Sequence, residues 1–163
     1  MFAIFLIFAR NIAMRILIQR VRKASVNIAE KTHANINRGM LILIGIEEND
    51  EMSDIDWLCG KISKLRIFDD AKGIMNLSIN EVEGEILLIS QFTLHASTRK
   101  GARPSYIKAA SPDQAIPLYN TFISELDKLV NTKVQAGVFG AEMQVEMIND
   151  GPVTLIIDSK NRE

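Results

Sequence analysis

The alternation of apolar and polar positions predicts one mixed α/β domain, mostly strands, with two main helices. Residues 15–22, RILIQRVR, mix the two kinds as a strand does, and residues 24–29, ASVNIA, read as a second short strand. Residues 40–46, MLILIGI, form a continuous apolar run, the pattern of a strand covered on both faces. Ser53 and Asp54 offer a helix N-cap, after which Ile55, Leu58, Ile62 and Leu65 recur at helical spacing. Residues 86–94, ILLISQFTL, are the most hydrophobic strand candidate. Ser111-Pro112-Asp113 opens a second helix: the serine caps, the proline takes the first turn and the aspartate meets the helix dipole. Its apolar face is Ala115, Leu118, Tyr119, Phe122, Leu126 and Leu129, and Pro117 should kink the helix or delay its start. Residues 143–148, MQVEMI, alternate strictly, as a half-buried strand should, and residues 152–157, PVTLII, form a last strand.

The first residues change this picture little. Residues 1–9, MFAIFLIFA, are almost wholly apolar, but a membrane span needs ~20 such residues. A secretory signal places its basic residues before the apolar run, whereas Arg10 follows it. The expected organisation is an upstream extension over residues 1–13 and one domain over residues 14–163, with Met14 as the natural start. With a lone thiol and no persuasive targeting signal, the expected location is the cytoplasm, away from any membrane.

Composition narrows the function classes. A chain of 163 residues with 47% hydrophobic and 24% charged positions can bury an ordinary core, which excludes a disordered tail or a collagen-like fibre. Nineteen basic residues against 20 acidic ones leave a net charge of −1, so any nucleic-acid binding must use local patches. Arg20, Arg22 and Lys23 form one such cluster; Arg99, Lys100 and Arg103 form another. Ordinary solvated side chains fit these positions equally well. Cys59 is a single cysteine, which excludes a disulfide framework and a cysteine-based zinc site. Two histidines, His33 and His95, leave little for a His-rich metal centre or a Ser-His-Asp triad; no cofactor is expected.

Two polar interruptions of apolar segments carry the candidate chemistry. The first is Ser90-Gln91-Phe92-Thr93-Leu94. In a strand, Gln91 and Thr93 share one face while Ser90 and Phe92 share the other. Burying a hydroxyl or amide without a partner costs ~1–3 kcal/mol. A pocket in which ligand or water supplies the partners would meet that demand, and so would bonds to neighbouring backbone. The second is Asn149-Asp150-Gly151-Pro152-Val153-Thr154, between two strand candidates. It reads as a hairpin turn, or as a place where a glycine lets a ligand or another chain approach the backbone.

Together, SQFTL at 90–94 and NDGPVT at 149–154 resemble the paired signatures of the D-aminoacyl-tRNA deacylases. Ile18-Gln19-Arg20-Val21, Arg66-Ile67-Phe68, Met75-Asn76-Leu77, Arg103-Pro104-Ser105, Ala110-Ser111-Pro112, Gly137, Phe139 and Met143-Gln144-Val145 are also similar to that family's pattern. The resemblance covers residues 14–158. It implies the deacylase fold, a mostly antiparallel, barrel-like sheet with two main helices. It implies a homodimeric ester hydrolase that frees a D-amino acid, or glycine mischarged on tRNA(Ala), from the 3′ end of tRNA. By the same resemblance, Gly151 and Pro152 are joined by a cis bond and inserted into the partner's pocket. Their carbonyls would meet the substrate's α-ammonium, and an L side chain would collide with that backbone. Arg20 resembles the arginine that supports this loop.

Ser90, Gln91, Phe92 and Thr93 match the catalytic motif. Backbone amides near Phe92 and Thr93 are the expected donors to the ester oxygen as it gains charge. The Thr93 hydroxyl as nucleophile needs a base. His95 lies two residues on, but the family pattern does not require histidine there. An RNA-assisted reaction, in which the terminal adenosine's 2′-hydroxyl helps to activate water, fits better. Two rival readings are a non-catalytic tRNA-binding accessory protein and a small-ester hydrolase acting through Thr93.

Overall fold

The computed structural model describes residues 13–162. The expected extension therefore lies outside the described residues, apart from Ala13. In chain order the elements are β1 (Arg15–Ile28), β2 (Lys31–Ile36), β3 (Gly39–Gly45), α1 (Met52–Lys64), β4 (Phe68–Asp69), β5 (Met75–Leu77), β6 (Glu85–Ser90), α2 (Pro112–Asp127), β7 (Gln135–Ala136) and β8 (Gln144–Asp158), with one 3-10 turn at Phe92–His95.

Strand β1 organises the sheet because it pairs antiparallel with three others: β3 along its first half, β2 along its second, and β8 along its opposite edge. It is one strand of 14 residues, not the two short ones expected. Arg22 and Lys23 look like a break in the pattern, but the register against β8 shifts between Val21 and Lys23. A bulge absorbs the extra residue and the strand continues. The β1–β2 hairpin escaped the sequence reading. Its loop residues are Ala29 and Glu30, both at positive φ (49° and 62°), where Asn-Gly is the usual signal.

β3 and β6 pair in parallel, as do β6 and β7, and β4 with β5 forms a small separate antiparallel sheet. β2 curls back to touch β6 and β7, so the main sheet nearly closes into a barrel. The apolar runs of β3 and β6 are covered on both faces, as their composition requires. Met40, Ile42, Ile44, Ile86 and Leu88 face the helices, while Leu41, Leu87 and Ile89 face a second cluster with Val21, Val26 and Ile36. Each such side chain, once buried, contributes roughly 1.5–3 kcal/mol.

Both helices cover the first face, with local departures from expectation. α1 is capped by Glu51, not Ser53: the Glu51 and Asp54 side chains each accept from the other's backbone N–H. That reciprocal arrangement satisfies two orphan donors at once. α2 starts directly at Pro112, so Pro117 does not delay it, and the Ser111 side chain makes no capping bond. Leu129 falls beyond the helix and is exposed. The Cys59 thiol of α1 reaches the Phe122 carbonyl of α2 at 3.7 Å.

Segments 143–148 and 152–157 are not two strands joined by a turn. They form one 15-residue strand, β8. Nor is its first part half-buried. Residues 144–148 are all exposed, because β8 is an edge strand whose outer side has no covering element among the described residues.

Candidate functional site

β6 stops at Ser90 for a hydrogen-bonding reason. Gln91 N–H donates to the Ile44 carbonyl at 2.7 Å, and Leu94 N–H then donates back to the Gln91 carbonyl. The chain turns into the 3-10 segment Phe92–His95. The alternating faces expected for Ser90–Thr93 are therefore absent. Ser90, Gln91 and Phe92 instead form one end of a cavity of about 260 Å³, with Ile44, Ile89, Phe139 and Met143 among its apolar walls. Thr93 does not line it. Its hydroxyl accepts a hydrogen bond from the Gln91 amide nitrogen. The N–H groups of Phe92 and Thr93, in the first turn of the segment, have no acceptor among the described residues.

His95 does not pair with Thr93. Its ring is 4% exposed and Nε2 has no hydrogen-bond partner. It lies against Gly45, where a Cβ would come within 3.0 Å of Nε2. Burial pushes the His95 pKa down, and the charge of Arg15 adds to that; the Gly45 carbonyl and the carboxylates of Glu47 and Asp158 oppose it. His95 and Arg15 belong to a larger surface cavity of about 790 Å³ that contains none of Ser90–Thr93, Gly151 or Pro152. The motif chemistry sits in the smaller cavity.

The second motif is a bulge inside β8, not a hairpin turn. Thr154 pairs with Gln19 and Asn149 pairs with Val21, so residues 150–153 stand opposite Arg20 alone. The Asn149 amide closes the neck, donating to the Arg20 carbonyl at 2.9 Å and the Val153 carbonyl at 3.1 Å. Gly151 has φ +115° and the Gly151–Pro152 bond is cis. Both residues are exposed.

Arg20 braces this bulge from beneath. Its side chain is only 7% exposed, so it does not share a surface patch with Arg22 and Lys23. Nε donates to the Asp150 carbonyl at 3.3 Å; Nη1 donates to the Ile67 carbonyl at 2.7 Å and to Asp69 Oδ1 at 3.2 Å. Nε also lies 3.3 Å from Asp150 Oδ2, and Arg22 reaches Asp150 Oδ1 at 3.1 Å. Asp69 was not anticipated; in the sequence it is one carboxylate after a short apolar stretch. The structure thus brings Ser90, Gln91 and Phe92 together at a cavity, and Arg20, Gly151 and Pro152 together at a bulge. It does not bring the two groups together within one chain, since neither Gly151 nor Pro152 lines the cavity.

The family model described as D-Tyr-tRNA(Tyr) deacylase matches residues 17–158. This chain belongs to that family. A D-aminoacyl-tRNA deacylase of Bacteroides fragilis is 60% identical over 150 residues, which is 92% of this chain and 100% of the relative. Among solved structures, the c-Myc DNA Unwinding Element Binding Protein superposes with TM-score 0.84 at 37% identity, covering 89% of this chain and 98% of the other. A probable eukaryotic D-amino acid tRNA deacylase superposes with TM-score 0.76 at 18% identity, covering 90% and 100%, which is a likeness of fold. Within this chain one motif ends the interior strand β6 and the other interrupts the edge strand β8.

Proposed function

We propose that this chain hydrolyses the ester joining a D-amino acid to the 3′ end of tRNA, as a homodimer. The carrying observation is the divided site in a member of this family: a cavity lined by Ser90, Gln91 and Phe92, and an exposed Gly151-Pro152 bulge that lines neither of the two cavities described above. The bulge is held by Arg20 and Asn149, so it is presented outward. β8 also offers the means of pairing. It is a long edge strand with Val145, Met147, Ile148 and Ile156 exposed, a surface that soluble proteins normally cover. In the proposed dimer a second copy pairs on that face and each bulge enters the other's cavity.

In this reading the apolar walls with Phe139 accept the terminal base by stacking. The free N–H groups of Phe92 and Thr93 face the ester oxygen as it gains charge during attack. Side chains position the substrate and do not transfer its proton. Thr93 is tied to Gln91, and buried His95 is shifted toward its neutral form without facing that hydroxyl. The attacking water is activated by the terminal adenosine's 2′-hydroxyl. The partner's Gly-Pro carbonyls hold the α-ammonium, so an L side chain runs into main chain while a D side chain points away. Selection by exclusion needs no pocket matched to each amino acid. Glycine carries no side chain to exclude, so glycyl-tRNA(Ala) is a second substrate. We assign the activity to the cytoplasm, where charged tRNA is consumed in translation.

The test compares D- and L-tyrosyl-tRNA at equal concentration, with sedimentation of the same preparation. The expected result is a dimer that deacylates the D form alone. Equal rates on both, or full activity in a monomer, would overturn the reading.

A further inference from the structure

We propose that Phe92, Tyr106 and the basic loop around them form a stacking platform for the unpaired nucleotides that precede the terminal one in the RNA substrate. The inference deepens the tRNA reading and rests on it. Phe92 rims the 260 Å³ cavity yet is 55% exposed. Its ring meets Tyr106 edge to face, with centroids 5.0 Å apart and planes at 78°. Tyr106 is 39% exposed, and Ile107 beside it is 88% exposed. Three large apolar side chains are therefore displayed in one patch at the mouth of the cavity.

The loop's own bonds do not need that display. Ser97 and Ser105 exchange backbone hydrogen bonds at 2.8 and 2.9 Å, and Ala110 N–H ties the loop to the Ile46 carbonyl at 3.0 Å. The backbone is anchored while the rings face outward.

Charge decides the occupant. From residue 86 to residue 112 the sequence has no aspartate or glutamate, but it has Arg99, Lys100, Arg103 and Lys108. All four are exposed, and none makes an ion pair or hydrogen bond among the described residues. In a chain of net charge −1 this is a concentrated local positive field. Open aromatic faces flanked by free cations suit single-stranded nucleic acid: bases stack on the rings and phosphates follow the charge. Duplex RNA hides its base faces, so the patch selects unpaired nucleotides. A second copy of this chain is a poor occupant, because a two-fold contact through the patch would set like charges against each other. Phe92 is shared by the cavity and the patch, so a base on Tyr106 would directly precede the one in the cavity.

The experiment uses full-length protein and uncharged, fluorescently labelled RNA hairpins, one ending in an unpaired CCA-3′ and one blunt. Anisotropy titrations should show the overhang bound about tenfold tighter than the blunt hairpin. Tyr106→Ala should remove that preference and Tyr106→Phe should retain it. Arg99→Ser combined with Lys100→Ser should weaken both hairpins alike and reduce the salt dependence. Absence of an overhang preference in the wild type, or its survival in Tyr106→Ala, overturns the platform. So does a Tyr106→Ala protein that loses its dimer but keeps the preference, which would assign the patch to a second copy. Because the RNA carries no ester, failure here is separate from failure of the deacylase reading. Overhang binding without D-specific deacylation would keep the platform and remove the proposed activity.

Discussion

Replacing Arg20 by lysine separates support of the bulge from stability of the fold. Arg20 is almost fully buried and holds two backbone carbonyls, of Ile67 and Asp150, with one planar group. Lysine keeps the charge but carries one nitrogen at the end of a flexible stem, so it cannot hold both carbonyls in the same geometry. A hydrogen bond from a charged group is worth roughly 1.5–3 kcal/mol net, so losing one of the two sets the scale of the damage at about 2 kcal/mol. Asp69 adds little, because its side chain is 46% exposed. Removing the cation entirely, as in Arg20→Met, leaves both the Ile67 and Asp150 carbonyls without their Arg20 donor and should cost more than Arg20→Lys, although the Asp150 carboxylate keeps Arg22. A domain stable by at least ~5 kcal/mol remains more than 99% folded after a loss of about 2 kcal/mol. A bulge displaced by ~1 Å, however, can lower the rate about 100-fold. Urea denaturation followed by the fluorescence of Trp57, the one tryptophan, reads the first quantity. Single-turnover deacylation of D-tyrosyl-tRNA reads the second. Arg20→Lys should lose about 2 kcal/mol and about 100-fold in rate. Wild-type rate in that variant, or a rate that falls only with the folded fraction, would refute the argument.

Other sites give independent outcomes. In Gly151→Ala the new Cβ would lie 2.9 Å from Val153 Cγ2 and 3.1 Å from Arg20 Nη2, at a φ that alanine rarely adopts, so deacylation should fall about 100-fold; an unchanged kcat/KM contradicts the placement of the bulge. Gly39→Ala would set a Cβ 1.8 Å from the Glu85 carbonyl oxygen, and no rotamer relieves a clash with backbone. Thermal unfolding should show a loss of about 3 kcal/mol, near 10 °C in Tm, and an unchanged Tm would reject the β3–β6 pairing. Burial pushes the Cys59 thiol up to about 12, so a thiol reagent in native buffer should react no faster than the protein unfolds, and rapid stoichiometric labelling would be the contrary result. Burial first, then the nearby charges of Asp54 and Glu47, lifts Asp50 from 3.8 to about 6, against the pull of the Glu47 N–H and Lys160. The folded state then binds this proton more tightly than the unfolded one, so the stability it lends is full below about pH 4 and lost as pH rises through 6. Urea unfolding at several pH values should show Asp50→Asn gaining on the wild type between pH 4 and 7; a constant difference would mean that the carboxylate titrates normally.

The sequence was most legible where one rule acted alone. The unbroken apolar runs of β3 and β6 identify strands buried on both faces, and the helical spacing of Ile55, Leu58 and Ile62 identifies α1. It was least legible where backbone geometry overrode side-chain pattern. Ala29-Glu30 closes a hairpin without the usual turn residues, and the Arg20–Lys23 segment bulges where the pattern implied a break. The depth of Arg20 was readable in principle. Strand alternation places it on the same face as Ile16 and Ile18, both fully buried, so an arginine there must find buried acceptors. Its acceptors were not readable, since Ile67 and Asp150 reach it only through tertiary contacts.

The same reasoning explains why the two motifs looked ordinary one at a time. Asp-Gly-Pro satisfies the rules for a turn, and polar residues after an apolar run satisfy the rules for a strand end. What distinguishes them is hydrogen-bond accounting. The bulge leaves β8 paired on both sides of it, so its projection is not needed to reverse the chain. The end of β6 leaves two N–H groups free beside a cavity, although neighbouring donors at Gln91, Leu94 and Ala96 are all satisfied. In the proposed dimer, a device unneeded by its own fold meets donors unused by the other copy's fold. That is why the proposed dimer and the proposed chemistry stand or fall together.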